Sequence, residues 1–246
     1  MIQNPEPNAF TERIDALRMR IDAACKQYGK NPQQIKILAV SKTFPAAAVK
    51  EALAAGLGAF GENYVQEGVE KIQQLIAHRH AIEWHFIGPL QSNKTKEVAE
   101  HFDWMHSVDR EKIARRLSEQ RPPGARPLQV CVQVNVSGEA SKSGVSPKDA
   151  MPLVLAITEM PHLRLRGLMA IPEPTEDEQV QRSRFRELTR LFQEIRARLP
   201  LAQQAHFDTL SMGMSADLEA AIAESLPQAS TMVRVGTALF GARPAR

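Results

Sequence analysis

Short apolar runs alternate with segments of helical periodicity eight times along this chain, and that alternation limits the fold more than any other feature. It predicts right-handed βαβ units around a parallel sheet, and eight of them predict closure into a single (β/α)8 TIM barrel. The length of 246 residues suits that architecture, which typically takes roughly 250. A doubly wound open sheet is the competing arrangement, but no Gly-x-Gly-x-x-Gly follows the first strand. Predicted strands run over 35–42, 57–61, 83–87, 104–108, 128–136, 164–170, 207–211 and 231–235. Helices are predicted over 46–55, 64–77, 94–101, 110–119, 147–159, 177–199 and 217–224, with a short final one from Thr237. An extra helix, about Pro7 to Tyr28, comes first: Phe10, Ile14, Leu17, Ile21, Ala24 and Cys25 recur at spacings of three and four, and Gly29 ends it. Nothing between these elements has the composition of a linker, so residues 1–246 are expected to form one domain.

The first strand, Ile35-Lys36-Ile37-Leu38-Ala39-Val40, reaches Lys42 at its C-terminal mouth, and Pro45 suits the start of the next helix. Alternation puts Lys42 on the face of Leu38 and Val40, opposite Ile37, Ala39 and Ser41. If that face is the barrel interior, the amine sits in a partly dehydrated mouth that favours its neutral, nucleophilic form, as imine chemistry requires. The alternative is a strand-end lysine whose amine reaches solvent.

Barrels of this kind place ligands over the C-terminal strand ends, with phosphate often held after strands seven and eight. Those loops read Ser211-Met212-Gly213-Met214-Ser215 and Gly236-Thr237. Small residues, hydroxyls and backbone N–H groups at helix starts make an anion cradle; each could equally be an ordinary turn with a helix cap. Met232, Arg234 and Gly236 alternate with Val233 and Val235. The valines suit the helix-facing side, so Arg234 points inward, where a guanidinium needs a partner such as Asp208 or a ligand. Glu62 and Asn63 follow the second strand, His85 lies in the third, and Gln133 and Asn135 share a face of the fifth. Each could simply satisfy a core backbone group. Lys142 reads as a solvated loop lysine or a second amine near the mouth.

Several function classes are disfavoured. A net charge of +3 and 5% aromatics give no basic patch with interleaved rings, which argues against nucleic acid. Cys25 and Cys131 have no metal-like spacing, so neither a disulfide framework nor a metal site is expected. A polar, proline-bearing start and the lack of a long apolar run predict a cytoplasmic protein without a membrane span.

The stretches LAVSKTFP (38–45), FGENYVQE (60–67), WHFIGPLQSNK (84–94), VNVSGEASKSG (134–144), RGLMAIP (166–172), LSMGMSADLEAAI (210–222) and VRVGTALFG (233–241) occur in order along nearly the whole chain. In these the chain resembles the pyridoxal 5′-phosphate homeostasis proteins. The resemblance implies a barrel like the alanine racemase N-terminal domain, with pyridoxal 5′-phosphate (PLP) held as an imine on Lys42. It implies phosphate contacts from Ser211, Gly236 and Thr237, Arg234 facing the pyridine nitrogen, and Asn63 near the ring. The implied function is storage, buffering or delivery of PLP, with PLP-dependent apoenzymes as partners, a monomeric state and no catalytic residues of its own. Alanine racemases share the arginine but add a tyrosine from a second domain. Only ten residues follow Gly236 here and the tyrosines are Tyr28 and Tyr64, so a weak amino-acid racemase is the second expectation.

Overall fold

The computed structural model of the protein describes residues 9–137 and 143–242. Parallel strands close into a barrel in sequence order. They are β1 (Ile35–Val40), β2 (Ala59–Glu62), β3 (Glu83–Phe86), β4 (Trp104–Val108), β5 (Leu128–Gln133), β6 (Leu163–Met169), β7 (Thr209–Met214) and β8 (Ser230–Val235). β8 meets β1 with Leu38 opposite Arg234 and Ala39 opposite Val235, which closes the ring and leaves no edge strand. The helices are α1 (Ala9–Tyr28), α2 (Ala46–Ala54), α3 (Val65–Gln74), α4 (Thr95–His101), α5 (Glu111–Gln120), α6 (Pro147–Thr158), α7 (Glu178–Arg198), α8 (Leu201–Gln204), α9 (Leu218–Ala223) and α10 (Thr237–Phe240).

Strand alternation divides the buried residues into two cores. Ala39, Phe60, Phe86, Val130, Val132, Val233 and Val235 face the helices and belong to one large apolar cluster. Leu38, Val40, Ile87 and Met232 form a separate cluster, as do Trp104, Cys131 and Met169. These are the inward positions, so the face shared by Leu38 and Val40 is the barrel interior. α1 covers the outside with Phe10, Ile14, Leu17 and Ile21. The Phe10 ring meets Phe240 edge-on at 5.3 Å, and Phe240 stacks on Phe44 at 5.0 Å. α1 therefore braces α10 and the segment just after Lys42; a buried phenyl group contributes about 1.5–3 kcal/mol.

The expected boundaries differ where backbone geometry intervenes. β7 continues through Met214 instead of ending at Ser211, because Gly213 at φ 87° and a register shift between Ser211 and Met214 carry the pairing past an irregular point. β5 stops at Gln133 rather than 136, since Val134 makes only an isolated bridge to Val145. The helix expected over 64–77 ends at Gln74 and gives way to a 3-10 segment, Ile76–Ala81, and the short α8 was not expected. Pro7, the expected start of α1, and Lys142 lie outside the described residues.

Candidate functional site

β1 ends at Val40, and its ladder runs one residue further through the Ser41 N–H, which donates to Gly61 O at 3.0 Å. Lys42 then sits, half-buried, in a turn. Thr43 follows at φ 70°, the single non-glycine with positive φ among the described residues. A β-branched residue there costs of order 1–3 kcal/mol and persists only where its surroundings hold it. They do so through a buried polar cluster. The Glu67 carboxylate accepts from the Thr43 N–H, and Lys71 Nζ donates to Glu67 Oε1 at 2.6 Å, Glu62 Oε1 at 2.8 Å and Ser41 O at 2.7 Å. Ser41 Oγ also donates to Glu62 Oε1, at 2.6 Å. Burial pushes the Glu62 carboxyl up in pKa, against the pull of Lys71 and Ser41. The turn that presents Lys42 is thus clamped from below.

Among the described residues, three polar atoms at this end of the barrel are buried without a hydrogen-bond partner: Thr43 Oγ1, Glu62 Oε2 and Asn63 Oδ1. Asn63 is fixed by the next loop, for a Cβ on Gly88 would stand 2.2 Å from Asn63 O. On the other side of β1, Gly236 lies against Val40, and a Cβ there would stand 3.4 Å from Val40 O. Gly236 caps α10 without a side-chain bond, and the first N–H groups of any helix have no partner within it. Asn63, Lys42 and Gly236–Thr237 therefore stand at the ends of three adjacent strands, β2, β1 and β8.

Below them Arg234 points inward and is buried. Its guanidinium donates to Ser211 Oγ and to Ala170 O, both at 2.8 Å. Burial lowers its pKa to about 10, although Asp217 pulls the other way; it remains a cation at neutral pH. Asp208, the partner suggested by sequence, pairs instead with Arg166 at 2.8 Å. It lies just before β7, while Arg234 lies near the end of β8. Ser211 is fully buried inside the barrel, and its hydroxyl is engaged by Arg234 and by His106 Nδ1 at 2.7 Å. It is Ser215, in the turn after β7, that stands half-buried at the mouth. The structure thus brings Lys42, Asn63, Gly236 and Thr237 to one rim, with Arg234 beneath it and Ser211 one layer deeper.

Sequence reasoning overlooked His106 and the part played by His85. Both are fully buried. The signal was present: Glu83/His85 and Trp104/His106 are polar or amphipathic pairs two apart, in strands whose opposite face carries Trp84, Phe86 and Met105.

The model of the family "Alanine racemase, N-terminal domain" matches residues 13–244. Curated relatives named pyridoxal phosphate homeostasis protein align along almost the full length. The one from Pseudomonas aeruginosa is 55% identical, over 96% of both chains. The one from Haemophilus influenzae is 53% identical, over 94% of both. The chain belongs to the pyridoxal phosphate homeostasis protein family. Among solved structures, PipY of Synechococcus elongatus without PLP is 36% identical with a TM-score of 0.81, covering 94% of this chain and 100% of that one. PipY with PLP bound is 35% identical with a TM-score of 0.79, at the same coverage. Alanine racemase from Corynebacterium glutamicum, 16% identical with a TM-score of 0.63, covers 93% of this chain and 61% of that one; it shares the fold. The homeostasis family thus occupies the barrel of the racemases. Among the described residues no helix is long and apolar enough to cross a membrane, and no cluster of side chains could hold a metal ion.

Proposed function

We propose that the C-terminal mouth of the barrel holds PLP and that the protein stores, buffers or delivers this cofactor in cytoplasmic PLP homeostasis. Lys42 carries it as an imine, Asn63 lies beside the ring, and Arg234 faces the pyridine nitrogen. Gly236 and Thr237, with the turn at Ser215, take the phosphate, while Ser211 acts through Arg234. The residues present fit such a group. An amine suits its aldehyde, a buried donor-only cation its ring nitrogen, and open helix N–H groups its phosphate. The observation that carries the reading is the strained, clamped turn that sets Lys42 at the end of β1, between the end of β2, where Asn63 Oδ1 is buried without a partner among the described residues, and the end of β8, which carries Arg234. PipY, over a third identical, has been solved with PLP bound.

PLP serves as an electron sink best with its ring nitrogen protonated, usually by a carboxylate. Arg234 can only donate, so it keeps that nitrogen unprotonated and weakens carbanion stabilisation. Tyr28 donates to Glu178 at 2.8 Å and Tyr64 is half exposed. The site therefore holds its cofactor chemically idle, open at the rim to attack by another amine. The test mixes the PLP-loaded protein with a cofactor-free PLP enzyme and follows recovery of that enzyme's activity, beside an alanine α-proton exchange assay. Recovery without exchange is expected. Exchange at an enzyme-like rate without recovery would make the protein a small racemase.

A further inference from the structure

A column of polar side chains runs through the barrel core from the N-terminal end to Arg234. Glu83 Oε2 lies 3.1 Å from His85 Nε2, and His85 Nδ1 lies 2.9 Å from His106 Nε2. His106 Nδ1 lies 2.7 Å from Ser211 Oγ, which accepts from Arg234. Its foot is not sealed: Glu83, half exposed, and Trp104 line a cavity of about 770 Å³ shared with Lys36 and Arg166. His85 stacks on Trp104 at 5.2 Å, which holds its ring plane.

The proton positions follow from the two ends. An ionised carboxylate only accepts, so His85 donates from Nε2 and accepts at Nδ1. His106 then donates from Nε2 and accepts at Nδ1, so the Ser211 hydroxyl must donate to it. That leaves a Ser211 lone pair for Arg234. With both rings neutral every bond points from Arg234 toward Glu83, and each gap holds one hydrogen.

We propose that His85 and His106 are positioning residues for the cofactor: their column orients Ser211, Ser211 orients Arg234 toward the ring nitrogen, and uptake of one proton by the column loosens that hold. The inference rests on the assignment of Arg234 under Proposed function. An added proton makes His106 Nδ1 a donor. Ser211 must then accept from two cations at once, and its own hydrogen must turn to another acceptor. Neutral His106 is the favoured form in the fold, because burial, His85 and Arg234 all disfavour its cation. The other ionisable groups around the pair are Glu83 and Arg166 with Asp208 at the foot, Cys131 on the neighbouring strand, and Asp217 beside Arg234. Glu83 stays ionised: burial pushes its pKa up, but the hydrogen bond from His85 and the charge of Arg166 help bring it below the usual range.

The first measurement needs no cofactor. Nitrogen-15 NMR of the imidazoles in the PLP-free protein should show both rings at neutral pH with their hydrogen on Nε2; a His106 hydrogen on Nδ1 would overturn the column. The second titrates PLP into wild type, His106→Asn and His106→Phe at about pH 8 and at the most acidic pH at which all three stay folded, because the fold holds the His106 pKa well below the ordinary histidine value. Asparagine offers its carbonyl to Ser211 and does not titrate. It should keep wild-type affinity at the higher pH and lose less of it in acid, since phosphate and imine titrate alike in both proteins. Phenylalanine should weaken binding about tenfold at the higher pH, the worth of one hydrogen bond. Circular dichroism checks that each variant is folded, and the asparagine comparison and the NMR stand if the phenylalanine variant is not. Identical acid loss in wild type and His106→Asn would overturn the proposal. A wild type that binds no PLP would instead contradict the cofactor assignment, with the NMR result unaffected.

Discussion

Single residues at the mouth do separable work. Lys71 is buried between Glu62 and Glu67 and supplies the cation that lets Glu62 remain inside. Replacing one partner of a buried pair leaves an uncompensated group and costs roughly 3–5 kcal/mol. Lys71→Met should therefore destabilise the protein by that order in a denaturant titration. Adding Glu62→Gln should restore more than half of the loss, and no recovery would mean that the pair is not what holds the turn. Arg234 was legible in sequence because strand alternation and a lone arginine among apolar residues reveal an inward charge. Glu62, Lys71 and the left-handed Thr43 were not. Their meaning lies in the contact between β2, α3 and the β1 turn, and no periodicity encodes that contact.

At the scale of elements, the least regular strand matters most. β7 carries Ser211 inward and then, within a few residues, delivers Ser215 to the rim. Gly213 makes this possible: its φ is 87°, and a Cβ there would stand 2.6 Å from the Cβ of Ala221 on α9. Gly213→Ala should cost roughly 1–3 kcal/mol in stability from overpacking and the unfavourable φ. It should also weaken PLP binding, measured by absorbance titration; unchanged stability and binding would show that the kink is incidental. The order of strands and helices was readable because each element carries its own hydrophobic period. The exact end of β7 was not, because a strand that continues through a glycine kink looks in sequence like a strand followed by a loop. Ser211, expected in the loop after this strand, lies instead within it. The His85–His106 contact was hidden for a related reason, since pairing between side chains on β3 and β4 depends on register.

For the molecule as a whole, the buried column ties stability to pH. The folded state lowers the His106 pKa, so below about pH 6.5, the ordinary histidine value, the unfolded chain binds more protons than the folded one. Stability contributed by neutral His106 is therefore lost as pH falls, by no more than about 1.4 kcal/mol per pH unit for one proton. Glu62 and Asp217, whose pKa values burial raises, act in the opposite sense. The difference between wild type and His106→Asn isolates the histidine: the variant should lose less stability between pH 7 and about pH 5, and an equal loss would contradict the assignment. The closed barrel explains why such a column can exist, for its interior admits water only at the two ends.

The central claim is that Lys42 holds the cofactor, and one measurement addresses it directly. PLP is added to the protein, the near-visible absorption is recorded, borohydride reduces the imine, and the labelled peptide is mapped. A band that disappears on reduction, with the label on Lys42, and no band in a folded Lys42→Ala variant, is the predicted result. Label on another lysine, such as Lys142, or an unchanged band in Lys42→Ala, would contradict it.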